Sequence, residues 1–222
     1  SPRKVTPEEL ATAAVKQGAK MIVSTYNEPL ITSEWAVAVF KKARKAGLIT
    51  GFVSNGNATP QVLDYLQPWV DLKSFDDYQY RKLGGRLEPI LKTIQGLFQM
   101  GFWLEIVTLL IPGFNDTENK LRQLTSFLVN LSPDIPWHVT AFHKDYKMTN
   151  PRNTKPERLI QAAEIGKQEG LRFVYAGNLP GQVGDLENTR CPACGLAIPG
   201  RRAISFQGQL AAYPFLPSRD SS

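Results

Sequence analysis

Five short polar segments, each following an apolar run, carry most of the residues able to do chemistry. They are Thr25-Tyr26-Asn27-Glu28-Pro29, Ser54-Asn55-Gly56-Asn57, Asp71-Leu72-Lys73-Ser74, Ile111-Pro112-Gly113-Phe114-Asn115-Asp116 and His143-Lys144-Asp145-Tyr146. A carboxylate at Glu28 suits an ammonium group. Asp71 and Lys73 lie two apart on an expected strand and so share a face. Opposite charges turned toward a sheet interior are costly unless they meet each other or a ligand. An ion pair at the sheet's end and a ligand contact both account for them. His143, past a strand end, is a better site candidate than His138, which lies within a strand and reads as a satisfied core histidine. Together the segments suit a zwitterionic ligand rich in hydroxyls. Without a G-x-G-x-x-G or P-loop pattern, a dinucleotide or nucleoside triphosphate is not expected. Cys191 and Cys194 form a CxxC pair in CPACG. That is two of the four ligands of a structural zinc, and also the pattern of a plain turn with two thiols.

The elements that must position these residues alternate along the chain. Thr6-Pro7-Glu8-Glu9 predicts a helix start with a capping box, ending near Gly18. The predicted strands are Lys20 to Ser24, Leu48 to Val53, Trp69 to Lys73, Phe102 to Leu110, Trp137 to Phe142 and Leu171 to Ala176. Between them fall helices from Ser33 to Ala46 and from Pro156 to Gln168, and a short one opening at Thr59-Pro60. Apolar stripes at Ile90, Leu91, Ile94, Leu97 and Phe98, and at Leu121, Leu124, Phe127, Leu128 and Leu131, mark two more. These stripes read as core. Strand and helix alternating six times argue for a parallel α/β sheet, open or curled into a barrel, with ligands at the carboxyl ends of its strands.

Composition excludes several classes. The chain has 222 residues, 42% hydrophobic and 21% charged, enough for a full core. Its longest apolar run, Trp35 to Phe40, is too short to span a bilayer. The formal net charge is +6. Its one cationic cluster, Lys41, Lys42, Arg44 and Lys45, closes a predicted helix, where cations complement the macrodipole. Without clustered aromatic and basic residues, nucleic acid is not an expected partner. Two cysteines and no signal-like leader point to a reducing, cytoplasmic setting.

In order and spacing, TYNEP, SNGN, VDLKSF, IPGFND and WHVTAFHKDYK resemble the radical S-adenosylmethionine enzymes. The resemblance is to the pyruvate formate-lyase activating enzyme group, and within it most to the radical component of the AmmeMemoRadiSam system. It covers nearly the whole chain up to CPACG. It implies a partial (β/α)6 TIM-like barrel binding S-adenosylmethionine across its open end. Tyr26, Asn27 and Glu28 match the motif that holds the methionine amino group, and Ser54 and Asn55 match the next motif of the pocket. Asp71 and Lys73 match the pair on the cofactor's polar groups, Thr108 the segment beside the adenine, and His143 a histidine near the ribose.

The resemblance also implies a [4Fe-4S] cluster on three cysteines, usually CxxxCxxC, and reductive cleavage to a 5′-deoxyadenosyl radical that abstracts hydrogen. Reduced flavodoxin or ferredoxin would supply the electron, and a protein is one class of substrate. In the family the cluster loop follows the first strand. This chain opens with Ser1 and a helix, so the expectation is a piece lacking that strand and those ligands. The expected division is a barrel core over 1–176 and a C-terminal extension with the CPACG knuckle over 177–222. The alternative is a cluster-free, degenerate barrel that binds S-adenosylmethionine or a protein partner without catalysis.

Overall fold

The computed structural model describes residues 4–25, 28, 31–56, 68–145, 150–191 and 194–202, the side chains of 68–71 and 199–202 excepted. Tyr26, Asn27 and the short helix expected at Thr59-Pro60 lie outside the described residues.

Helix α1 (Pro7–Lys16) begins with the predicted capping box: the Glu9 N–H donates to Thr6 Oγ1 (3.2 Å) and the Thr6 N–H to Glu9 Oε2 (2.7 Å). There follow β1 (Met21–Ser24), α2 (Ser33–Lys45), β2 (Ile49–Ser54) and β3 (Pro68–Asp71). Next come α3 (Asp77–Lys82), α4 (Leu87–Gln99), β4 (Glu105–Leu110), α5 (Glu118–Leu131), β5 (Trp137–Ala141), α6 (Pro156–Glu169) and β6 (Val174–Gly177). All six strands pair in parallel, in the order β1-β2-β3-β4-β5-β6. Sequential order in a parallel sheet is the signature of successive crossovers in one direction. Among the described residues β1 and β6 are the edges and the sheet is not closed.

Three strands start later than their apolar runs predict, for one reason. The N–H groups of Leu48, Phe102 and Leu171 donate back to Ala43, Leu97 and Gly166, at 3.0, 3.1 and 3.0 Å. Each residue therefore finishes the preceding helix before a strand can begin. Gly101 (φ 77°) and Gly170 (φ 113°) make these reversals possible, since a left-handed residue there costs little only without a Cβ. The six-residue α3 is too short for a periodic stripe. It is set by Asp76, whose carboxylate accepts the Tyr78 and Gln79 N–H groups.

The helix-facing side of the sheet is the core. Phe52, Ile106, Leu110, Trp137 and Val139 pack there against Phe40, Ile94, Leu97, Leu124, Leu128 and Leu159. Phe40 and Phe52 meet edge to face at 4.8 Å. Burying each such side chain contributes roughly 1.5–3 kcal/mol. Trp137 is fully buried and donates its indole N–H to Thr108 Oγ1 (3.0 Å). Glu105 and His138 alternate with Ile106 and Trp137 and so project from the other face. There Glu105 Oε2 lies 2.6 Å from His138 Nε2, and the His138 ring stacks on Tyr175 at 4.8 Å. His138 is thus a buried core histidine, as expected, with a hydrogen bond to Glu105 at one of its two ring nitrogens, Nε2.

After β6 the chain stays on the core: Val183 is buried in it, and Leu179 and Leu186 pack against it. A 3-10 turn (Gly184–Glu187) then leads into β7 (Asn188–Arg190) and β8 (Ala197–Arg202), a separate antiparallel pair. No helix among the described residues is long and apolar enough to cross a membrane.

Candidate functional site at the strand ends

The carboxyl ends of parallel strands leave carbonyl groups without ladder partners, and side chains must satisfy those that are buried. Between β1 and α2, Glu28 adopts φ 47°, uncommon for a residue with a Cβ. This conformation accompanies a clasp onto the next strand. Glu28 Oε1 accepts the Ser54 hydroxyl (2.7 Å), and Oε2 accepts the Asn55 N–H (2.9 Å). Ser54 Oγ in turn accepts the Gly56 N–H (3.1 Å). Three of the predicted site residues, Glu28, Ser54 and Asn55, are therefore brought together at the mouth of the first two strands. An anionic carboxylate held half-buried there complements an ammonium group.

The Asp71 backbone ends β3 in register with Val107, and its side chain lies outside the description. Lys73, two residues further on, is half-buried. Its N–H donates to Tyr80 Oη (2.8 Å), and its carbonyl accepts from Asn115 Nδ2 (2.6 Å). His143 is exposed just beyond β5. Thr108 stands apart from this group. It shares the parity of Ile106 and Leu110, and its hydroxyl, 1% exposed, donates to the Leu72 carbonyl (2.9 Å) as it accepts from Trp137. The Thr108 side chain thus faces the helices, and only its backbone could meet a ligand at the mouth.

Residues that the sequence reading assigned no role carry the frame of the site. Asn115, 3% exposed, spans two strand ends. Its amide donates to the Lys73 and Leu109 carbonyls (2.6 and 2.8 Å) and accepts the Ile111 N–H (2.8 Å). Gln79 bonds Ser74 and the Phe114 carbonyl. Thr154 Oγ1 donates to the Leu110 carbonyl (2.5 Å) and accepts the Phe142 N–H (3.1 Å), tying β4 to β5. Asn178, at φ 65° just past β6, donates to the Ala141 carbonyl (3.3 Å). Asn115 had a signal, its place in the polar IPGFND segment. Thr154 had none.

The cysteines do not join this group as an iron-sulfur ligand set. Cys191 and Cys194 lie on the turn between β7 and β8, not joined by a disulfide. The whole chain holds only these two. Among the described residues no group of three or more His, Cys, Asp or Glu side chains could hold a metal ion. The residues present do not fit a cluster held by three cysteines, and no step through one follows from this chain.

No family model matches the chain. An uncharacterized protein of Methanocaldococcus jannaschii, MJ0808, is 34% identical to it over 200 residues, covering 88% of this chain and 60% of that protein. The isethionate sulfite-lyase activating enzyme of Oleidesulfovibrio alaskensis is 30% identical over 129 residues, covering 53% of this chain and 40% of the enzyme. The chain thus spans less than two thirds of the length of either relative. Among solved structures, a domain of the pyruvate-formate lyase-activating enzyme from Bacteroides vulgatus aligns with TM-score 0.63 at 23% identity, over 72% of this chain and all of that one. Streptococcus suis SuiB bound to S-adenosylmethionine also gives 0.63, at 14% identity, over 79% of this chain and 44% of SuiB.

At these identities the likeness is one of fold. The class it defines is a parallel α/β array resembling the partial barrel of radical S-adenosylmethionine proteins. Within that class the structural similarity is to the activating-enzyme domain and to SuiB, without singling out one system.

Proposed function

We propose that the strand carboxyl ends of this chain bind S-adenosylmethionine and that the chain, with its own residues, binds it without cleaving it. The observation that carries this reading is the Glu28 clasp on Ser54 and Asn55, set at the mouth of a radical-SAM-type sheet. The clasped Glu28 carboxylate receives the methionine ammonium, with Tyr26 and Asn27 preceding it in the same sequence motif, and Ser54 and Asn55 fix its angle. Asp71 and Lys73 contact the polar groups of the ligand, His143 its ribose, and the backbone near Thr108 its adenine. Two cysteines cannot make a three-thiolate set, which supports the non-catalytic reading over the catalytic one.

A second reading rests on the identity to an activating enzyme over part of its length. In it, the same sheet serves a longer protein whose further segment brings the three cluster cysteines. That protein would be a radical oxidoreductase with reduced flavodoxin or ferredoxin as cytoplasmic electron donor and a protein as substrate. The cluster would supply the reducing electron. The residues named above would only bind and orient.

Equilibrium dialysis of the chain against S-adenosylmethionine, with S-adenosylhomocysteine and methionine as competitors, tests binding. Anaerobic incubation with dithionite tests cleavage. Saturable binding with intact S-adenosylmethionine recovered is the expected result. A folded chain that binds none contradicts both readings, and 5′-deoxyadenosine formed by this chain contradicts the first.

A further inference from the structure

Just past β3, side chains take over the work of the ladder. The Leu72 N–H still donates to a strand carbonyl, that of Val107 (3.0 Å). The main-chain groups that follow are bound by three side chains. Thr108 Oγ1 on β4 donates to the Leu72 carbonyl (2.9 Å). Tyr80 Oη on α3 accepts the Lys73 N–H (2.8 Å), and Asn115 Nδ2 in the loop after β4 donates to the Lys73 carbonyl (2.6 Å). All three side chains are buried. A polar group in a core is costly unless its bond is made, so this convergence on two consecutive residues is an investment that apolar side chains of similar size would avoid.

We infer that Tyr80 and Asn115 are positioning residues. By fixing the N–H and the carbonyl of Lys73, they hold its ammonium in one presentation at the mouth of the sheet and so raise ligand affinity, a role that rests on the site proposed above. A lysine carries its charge on a flexible stem, and a loose backbone beneath it would add to the freedom that binding must remove. Pinning the backbone removes that part in advance. The half-buried setting of Lys73 confines the stem as well. The two anchors come from different places. Tyr80 lies on α3, whose start is fixed by the Asp76 cap, and Asn115 is itself tied to the Leu109 carbonyl and the Ile111 N–H. The lysine is thereby referenced both to the helix that follows it and to the loop of the neighbouring strand. The Tyr80 ring belongs to the helix-side core, so deleting its hydroxyl alone leaves that packing in place.

The test makes Tyr80→Phe and Asn115→Ala, each in the parent chain and in Lys73→Met. Tyr80→Phe, the milder change, carries the test should Asn115→Ala fail to fold, as urea unfolding would show. Equilibrium dialysis reads S-adenosylmethionine affinity. Acetylation by acetic anhydride, resolved by mass spectrometry, reads the Lys73 amine against the exposed Lys144. Each variant should weaken binding about three- to tenfold with Lys73 present and less than about twofold with methionine there, because an effect that travels through the lysine vanishes with it. Lys73 should also acetylate faster in both variants than in the parent. Equal losses in the two backgrounds, as a merely structural role would give, overturn the inference, and so does an unchanged affinity or an unchanged acetylation rate. A folded parent that binds no S-adenosylmethionine sinks the proposed function by itself. Acetylation then decides alone: a faster rate in the variants keeps Tyr80 and Asn115 as the holders of Lys73, and an unchanged one removes them.

Discussion

Glu28 and Glu105 are two carboxylates with both oxygens engaged, at opposite ends of the same sheet. Glu105 opens β4 at the amino end, 3% exposed, with Oε1 accepting the Trp103 indole N–H (2.9 Å) and Oε2 against His138. Glu28 lies past a strand's carboxyl end, half-buried, and the Ser54 hydroxyl and the Asn55 backbone N–H are among its partners. A carboxylate sealed among side chains that can do nothing else is part of the scaffold. One clasped at the mouth of the sheet is, in the proposed function, the group that meets the ligand's ammonium. The difference is one of surroundings, and it separates stability from binding.

Mutations can break that separation or sharpen it. Glu105→Ala should have the largest effect, about 3 kcal/mol of unfolding free energy, because His138 is left buried without its carboxylate. Urea unfolding measures it, and a loss below about 1 kcal/mol would remove the scaffold role. Gly166→Ala probes the same layer from the helix side. Its Cβ would stand 2.9 Å from Cε3 and Cζ3 of Trp137, a ring held in place by Thr108, so about 1–3 kcal/mol should be lost.

Glu28→Gln should leave unfolding within about 0.5 kcal/mol of the parent. Its S-adenosylmethionine affinity should fall roughly tenfold, as expected on losing a charge-assisted bond. The smallest effect belongs to the surface. Glu169 accepts the Ser126 hydroxyl and pairs with Arg122 (2.7 Å), which together hold its carboxyl below the usual carboxylate range. Being a depressed carboxyl, it adds stability above its unfolded pKa, lost as pH falls through the folded one. Glu169→Gln should therefore cost about 0.5 kcal/mol at neutral pH and nothing in acid, as thermal melts at both would show.

Much of this arrangement was legible in the residues. Helix stops at Gly101 and Gly170 and the alternation of strands and helices predicted a parallel array, while the sequential strand order came with the structure. The polar segments after successive strands marked the mouth. Strand starts were less legible, because Leu48, Phe102 and Leu171 are apolar for the helix cap's sake and read as strand by their hydrophobicity alone. The frame of the site was hidden for another reason. Asn115 reaches the Lys73 carbonyl 42 residues away and Thr154 the Leu110 carbonyl 44 away, and no local pattern announces such bonds. Thr108 shows the reverse. Its parity with Ile106 and Leu110 was available from the start and turns its side chain to the helices.

The most direct test of the central claim is calorimetric titration of S-adenosylmethionine into the parent chain and into Glu28→Gln, each with its unfolding midpoint measured. The account predicts saturable binding by the parent, roughly tenfold weaker binding by the variant, and matching midpoints. Equal affinity in two equally stable proteins would contradict it, and Glu28 would then be a loop brace of the same kind as Glu105.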